Sequence, residues 1–185
     1  MAVFSGMAHL AMVLGVALWI GNWLLVLAFS AVTPSYQLLT LFMTAAVLVC
    51  FGMATPTFIS YMRACETKMR FWRAVRVIAF GLVTAVALGH VLYYAVWILD
   101  QDAFVDLSPA DTPRYAAWRL FLFSWNNTPR LGTGVGWLLP LSHTARTITW
   151  IHDVYISIVF LMGIGSLAGQ MSAVGCPPPR CKERQ

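Results

Sequence analysis

The chain has 185 residues, 59% of them hydrophobic and 10% charged, with a formal net charge of +5. A soluble domain carries about 25% charged residues, so a surface this poor in charge is solvated by lipid, and the water-soluble classes are excluded. The charges are also unevenly spread: no Asp, Glu, Lys or Arg precedes Arg63, which leaves room for two membrane crossings at about 20 residues each.

The first predicted crossing covers residues 7–32 and closes at the turn signal Thr33-Pro34-Ser35. It lacks a basic n-region, and its apolar run exceeds the about 7–15 residues of a secretory h-region, so it is expected to stay in place. Asn22 lies mid-span, with Gly15 and Gly21 nearby. Small residues let helix backbones approach, and an Asn supplies an interhelical hydrogen bond of about 1 kcal/mol; Asn22 is a helix-packing candidate. The second crossing covers residues 38–61 and contains Pro56, where a kink is expected, because membrane helices tolerate proline.

A charged hairpin follows, "RACETKMRFWRAVR", with Arg63, Lys68, Arg70, Arg73 and Arg76 set against Glu66. These cations and Trp72 are read as contacts with lipid headgroups. The third crossing covers residues 77–99. Tyr93, Tyr94 and Trp97 near its end are read as anchors at the opposite interface, because each ring joins an apolar body to a polar tip. His90 lies about 13 Å inside that end at 1.5 Å per residue.

Residues 100–146 form a long connection. In "PRYAAWRLFLFSW", Pro113 stands at a plausible first helical position after Thr112 as N-cap. Arg114, Trp118, Phe121 and Trp125 follow at helical spacing, which predicts an amphipathic helix in the interface plane or packed on the bundle. "LGTGVGWLLPLS" is too short to span. Asn126-Asn127-Thr128 is a glycosylation sequon, followed by Pro129. The fourth crossing covers residues 147–174 and opens on "TWIHDVYIS". Arg146 and Asp153 are seven residues apart on roughly one helix face, which predicts a pairing. Gly165 and Gly169 form G-x-x-x-G, a second helix-packing candidate. In the tail, residues 175–185, Cys176 and Cys181 flank "PPPR"; this spacing alone is a poor zinc signal.

The fold class expected is an all-α membrane protein: a four-helix transmembrane bundle, one domain, with an interfacial helix between the third and fourth crossings. Basic residues flank the second crossing and the tail, where Arg180, Lys182 and Arg184 oppose Glu183. Both termini are therefore expected on the cytoplasmic or matrix side.

An ionisable residue inside a membrane is a functional hypothesis by default. His90 and His152 are the candidate cofactor ligands, with haem b the group such a pair would hold. Their depths differ by about 6–8 Å if the helices stand upright. No helix carries two histidines at i, i+3 or i+4, and no metal site is expected, although a zinc ion with His143 and Asp153 is an alternative. "RFWRAVRVIAFGLVTAVALGH" resembles a segment of the progestin/adipoQ receptor family, which are zinc-containing helix bundles. The chain departs from that pattern elsewhere: Val3 stands where an acidic residue would precede Phe4, and the last crossing lacks a paired-histidine signature.

No hydrolase elbow, P-loop, dinucleotide fingerprint or H-E-x-x-H occurs. The expectation is a structural or accessory subunit of a larger membrane complex, with a bioenergetic complex of the mitochondrial inner membrane as host. Its partners would be other membrane subunits and phospholipids, not nucleic acid. The alternative is a small haem- or metal-binding membrane enzyme using His90 and His152, and a third class is a small transporter.

Overall fold

The computed structural model describes residues 2–65, 71–127 and 138–175. They form five helices: α1 (Ala2–Ala28), α2 (Pro34–Cys65), α3 (Phe71–Leu99), α4 (Pro113–Asn127) and α5 (His143–Gly175). There is no strand among the described residues, only an isolated antiparallel bridge between Phe104 and Pro140. Among the described residues, three helices are long and apolar enough to cross a membrane, over Leu10–Ala28, Pro34–Thr55 and Ile78–Leu99.

The helix starts follow from their caps. Thr33 Oγ1 accepts from Tyr36 N at 3.2 Å, with Pro34 as the first helical residue. Thr112 Oγ1 accepts from Tyr115 N at 3.3 Å, with Pro113 first. Ser142 Oγ accepts from Ala145 N at 3.1 Å, with His143 first. In each case a hydroxyl satisfies an N–H that has no intrahelical partner. These caps explain why α2 and α5 each start four residues before the expected 38 and 147. The expected start of α4 at Pro113 agrees with the structure. The α2 helix also continues through Pro56 to Cys65.

The third helix is the centre of the molecule. Its second half is buried on almost every side, whereas α1 and α2 turn Leu10, Val13, Leu24, Leu38, Phe42 and Val49 outward. Small residues set the close approaches. A Cβ on Gly15 would stand 3.2 Å from Phe51 Cε1 and 3.3 Å from Cys50 Cβ, and one on Gly21 would stand 3.1 Å from Met43 Cε. Phe29 and Tyr36 meet ring to ring at 4.9 Å. These contacts fix an antiparallel register of α1 on α2, in which Asn22 lies within about a turn of both Thr40 and Thr44.

The short helix α4 packs across α3 on a face of Pro113, Ala116, Ala117, Leu120, Phe123 and Ser124, and runs antiparallel to it. Its start receives the Tyr94 hydroxyl on the Pro113 carbonyl at 3.4 Å, while Ser124 Oγ near its end donates to the Val86 carbonyl at 2.9 Å. Val86 lies near the middle of the apolar span, so α4 is sunk against α3 at that end. The expected aromatic stripe is the other side of this helix: Tyr115, Trp118 and Trp125 are exposed, and Phe121 is stacked between Trp118 and Trp125. Arg114 Nη2 donates to the Leu27 carbonyl at the end of α1, where a cation meets the negative end of the helix dipole.

The loop after α3 is pinned to the strand-like lead-in of α5. Val105 N donates to Leu139 O at 2.9 Å, and Leu141 N to Ala103 O at 2.8 Å. Phe104 is buried between, edge-on to Tyr93.

Candidate functional site

Two histidines mark opposite faces of α3 near mid-span, and both sit inside aromatic and polar surroundings. His90 is fully buried. Its Nδ1 accepts from Trp19 Nε1 at 3.1 Å, which leaves the proton on Nε2. The ring stacks on Trp23 at 4.8 Å with planes 8° apart, and Phe121 meets it edge-on at 5.9 Å. The Nε2–H points toward the Ala117 carbonyl of α4 but makes no hydrogen bond of normal geometry. Trp19 and Trp23 recur at i, i+4 on a charge-free helix, so one helix face supplies both the donor and the stacking ring.

His152 belongs to α5 and is buried against the other face of α3. Its Nε2 donates to the Ala85 carbonyl at 2.9 Å, and its Nδ1 accepts from the Tyr93 hydroxyl at 2.7 Å. Gly89 lies between those two partners one turn from each. A Cβ there would stand 2.6 Å from His152 Nε2, closer than real carbon atoms come, so the ring can seat only over a glycine.

The expected haem-ligating pair is therefore separated. His152 uses both ring nitrogens to hold α5 on the face of Ala85, Gly89 and Tyr93, while His90 points toward α1 and α4. An iron between them would need His152 to give up one of its bonds and would need α3 out of the way. Among the described residues no three His, Cys, Asp or Glu side chains gather as a metal site. His143 is exposed at the start of α5, away from both.

The other candidates fall in three groups. Trp97, Tyr93 and Tyr94 are all fully buried, which corrects their reading as interface anchors: α3 is enclosed by its neighbours, so its aromatic residues meet protein, not headgroups. Tyr94 receives a hydrogen bond from the Tyr36 hydroxyl and stacks on Trp97. Asn22 is fully buried, as its mid-span position implies, but neither of its amide atoms has a partner, so the expected interhelical bond from Asn22 is not made. Gly165 is exposed with nothing near its Cα, so it packs on none of the described residues. Arg146 sends Nε to the Pro140 carbonyl at 3.2 Å.

Lys68 and Arg70 lie outside the described residues, as do the tail cysteines Cys176 and Cys181. The side chains of Arg63, Trp72, Arg73, Arg76 and Gly169 lie outside the described side chains.

Several residues were legible but not singled out. Tyr36, Thr40 and Thr44 stand at i, i+4 and i+8 on an apolar helix, all buried. A polar stripe of that period on a membrane helix marks an inward face.

Comparison with known proteins gives no match: no family model, no curated protein and no solved structure corresponds to this chain. The local resemblance of Arg70–His90 to the progestin/adipoQ receptors therefore carries no further weight.

Proposed function

We propose that this chain is a structural subunit of a larger membrane complex, a scaffold whose interior polar groups hold helices together. The observation that carries the reading is how those groups are used. Each neighbour of α3 is fastened to it by a hydrogen bond from within the apolar depth or at its edge. Trp19 bonds His90 from α1, and Gln37 Nε2 bonds the Ile98 carbonyl from α2 at 3.2 Å. Ser124 bonds the Val86 carbonyl from α4, and His152 bonds both Ala85 and Tyr93 from α5. Histidine and tyrosine that are spent in this way are framework residues.

Outwardly the helices are apolar. Trp150, Ile151, Val154, Ile158 and Leu161 line the open side of α5, a surface suited to lipid chains or a neighbouring subunit. In this reading α5, 33 residues long, is the fourth crossing at about 50 Å of helix. The Asp100–Asp111 loop and the start of α4 belong to the far side, with Tyr115 near the interface and Trp118 and Trp125 turned outward toward lipid. The basic hairpin and both termini face the matrix or cytoplasm, and contact phospholipid. The host proposed is a bioenergetic complex of the mitochondrial inner membrane, on the grounds of protein type: small exposed segments, an apolar bundle and a basic inner face.

Native electrophoresis from mild detergent, followed by mass spectrometry of the band, tests this. Co-migration with respiratory-chain or similar subunits is the expected result. Migration of the chain alone as a 20.5 kDa species would remove the proposal.

A further inference from the structure

The fasteners around α3 do not use up the buried polar groups. Between α1, α2 and α3, five side chains keep a nitrogen or oxygen atom without a hydrogen-bond partner: Asn22 (both amide atoms), Thr40, Thr44, His90 Nε2 and Trp97 Nε1. All five are at least nine-tenths buried. Asn22, Thr40 and Thr44 are also neighbours. The register of α1 on α2 sets Asn22 beside Thr40 and Thr44. The Trp19 and Trp23 rings set His90 at the same level of α1, but its Nε2–H is turned to the Ala117 carbonyl of α4, and Trp97 lies about two turns further along α3 beside Tyr94.

The two threonines behave unlike the other helical hydroxyls in this chain. Thr55, Thr84, Thr147, Thr149 and Ser157 each donate to the carbonyl four residues earlier, at 2.8–2.9 Å. That is the usual retreat of a hydroxyl in an apolar helix. Thr40 and Thr44 do not take it, and neither oxygen makes a hydrogen bond of normal geometry, although the Tyr36 hydroxyl lies near Thr40. Leaving one such group bare in an apolar interior costs about 1–3 kcal/mol, and here the cost would be repeated at each member.

We infer that Asn22, Thr40 and Thr44 line an internal site in the α1–α2 interface that binds water molecules. The chemistry of the wall selects this guest. It is rich in donors: the Asn22 amide and two hydroxyls. It also holds an acceptor, Asn22 Oδ1, that a purely carbonyl guest such as a quinone oxygen would leave unfilled. A cation finds too few oxygens, and no Asp, Glu, Lys or Arg lies in these three spans to balance an ion. Water both gives and accepts, and buried waters commonly make about three hydrogen bonds to groups of this kind. The site gives the middle of the bundle a polar, exchangeable interior next to His90, on the face away from His152.

Water-edited solid-state NMR on the full-length ¹⁵N-labelled chain in lipid bilayers tests it. The expected result is water polarisation reaching the Asn22 side-chain amide well ahead of the Val47 backbone amide, which is buried in the apolar part of the same interface. Build-up at Asn22 no faster than at Val47 overturns the proposal. The near-isosteric double variant Thr40→Val, Thr44→Val should lose the transfer to Asn22; transfer unchanged in a folded variant overturns the assignment of the two threonines as its walls. The wild-type measurement decides alone if the variant does not fold.

Discussion

Gly89 shows how one missing side chain can set a helix contact. His152 makes two hydrogen bonds to α3 because nothing stands between its ring and the backbone there. Gly89→Ala puts a carbon where the ring sits, and overpacking of this kind costs about 1–3 kcal/mol. Thermal unfolding in detergent should show that loss, whereas Gly165→Ala, in open space, should stay within about 0.5 kcal/mol of the parent. Equal stability of the two variants would mean that His152 is not seated as described. At this scale the sequence was informative about burial and poor on partners. That Asn22 and His90 lie inside the span follows from their position in charge-free runs. That His152 would spend both nitrogens on α3 depends on Gly89, Ala85 and Tyr93 meeting it from another helix, and no local pattern reports a contact 59 or 67 residues away.

At the scale of elements, the apolar runs and the caps carried most of the information. Thr112-Pro113 announced α4 correctly, and Thr33-Pro34 marked a boundary whose role was only half read: it closes the first turn and also opens α2. Replacing Thr112 with Ala removes the acceptor for Tyr115 N and should cost about 0.5–2 kcal/mol. Faster hydrogen–deuterium exchange at the amides of residues 114–116, with α3 unaffected, would show it; unchanged exchange would mean that α4 is held by packing alone. What escaped the sequence was the direction α4 faces. Its large aromatic residues, at helical spacing, left open whether it lies in the interface plane or packs on the bundle, whereas the small ones, Ala116, Ala117 and Ser124, are the face that meets α3. Close backbone approach is rewarded inside an apolar bundle, where hydrophobic burial gains little over lipid, so the small face wins the interior and Trp118 and Trp125 are left outside. The same preference explains why Tyr93, Tyr94 and Trp97 are enclosed: each stands on the one helix that has neighbours on nearly all sides.

For the whole molecule, α3 carries α2, α4 and α5 directly, while α1 packs mainly on α2 and reaches α3 through the Trp19–His90 bond. Topology is the consequence that is easiest to test. With four crossings, residue 68 and residue 108 must lie on opposite sides of the membrane. In a background free of native cysteines, Lys68→Cys and Ser108→Cys should react with an impermeant thiol reagent from opposite sides; labelling of both from one side would mean that α3, the helix between them, does not cross. The single most direct measurement concerns the claim on which the scaffold reading rests, that the polar residues of the interior fasten helices. It is a double-mutant cycle of Tyr93→Phe and His152→Leu, read by equilibrium unfolding in bilayers or bicelles. Membrane interhelical hydrogen bonds couple by about 0.6–1.7 kcal/mol, so each single variant should be destabilised and the pair should recover a coupling in that range. Strictly additive losses, with no coupling between the two positions, would contradict the bond and with it the reading of His152 as a structural fastener.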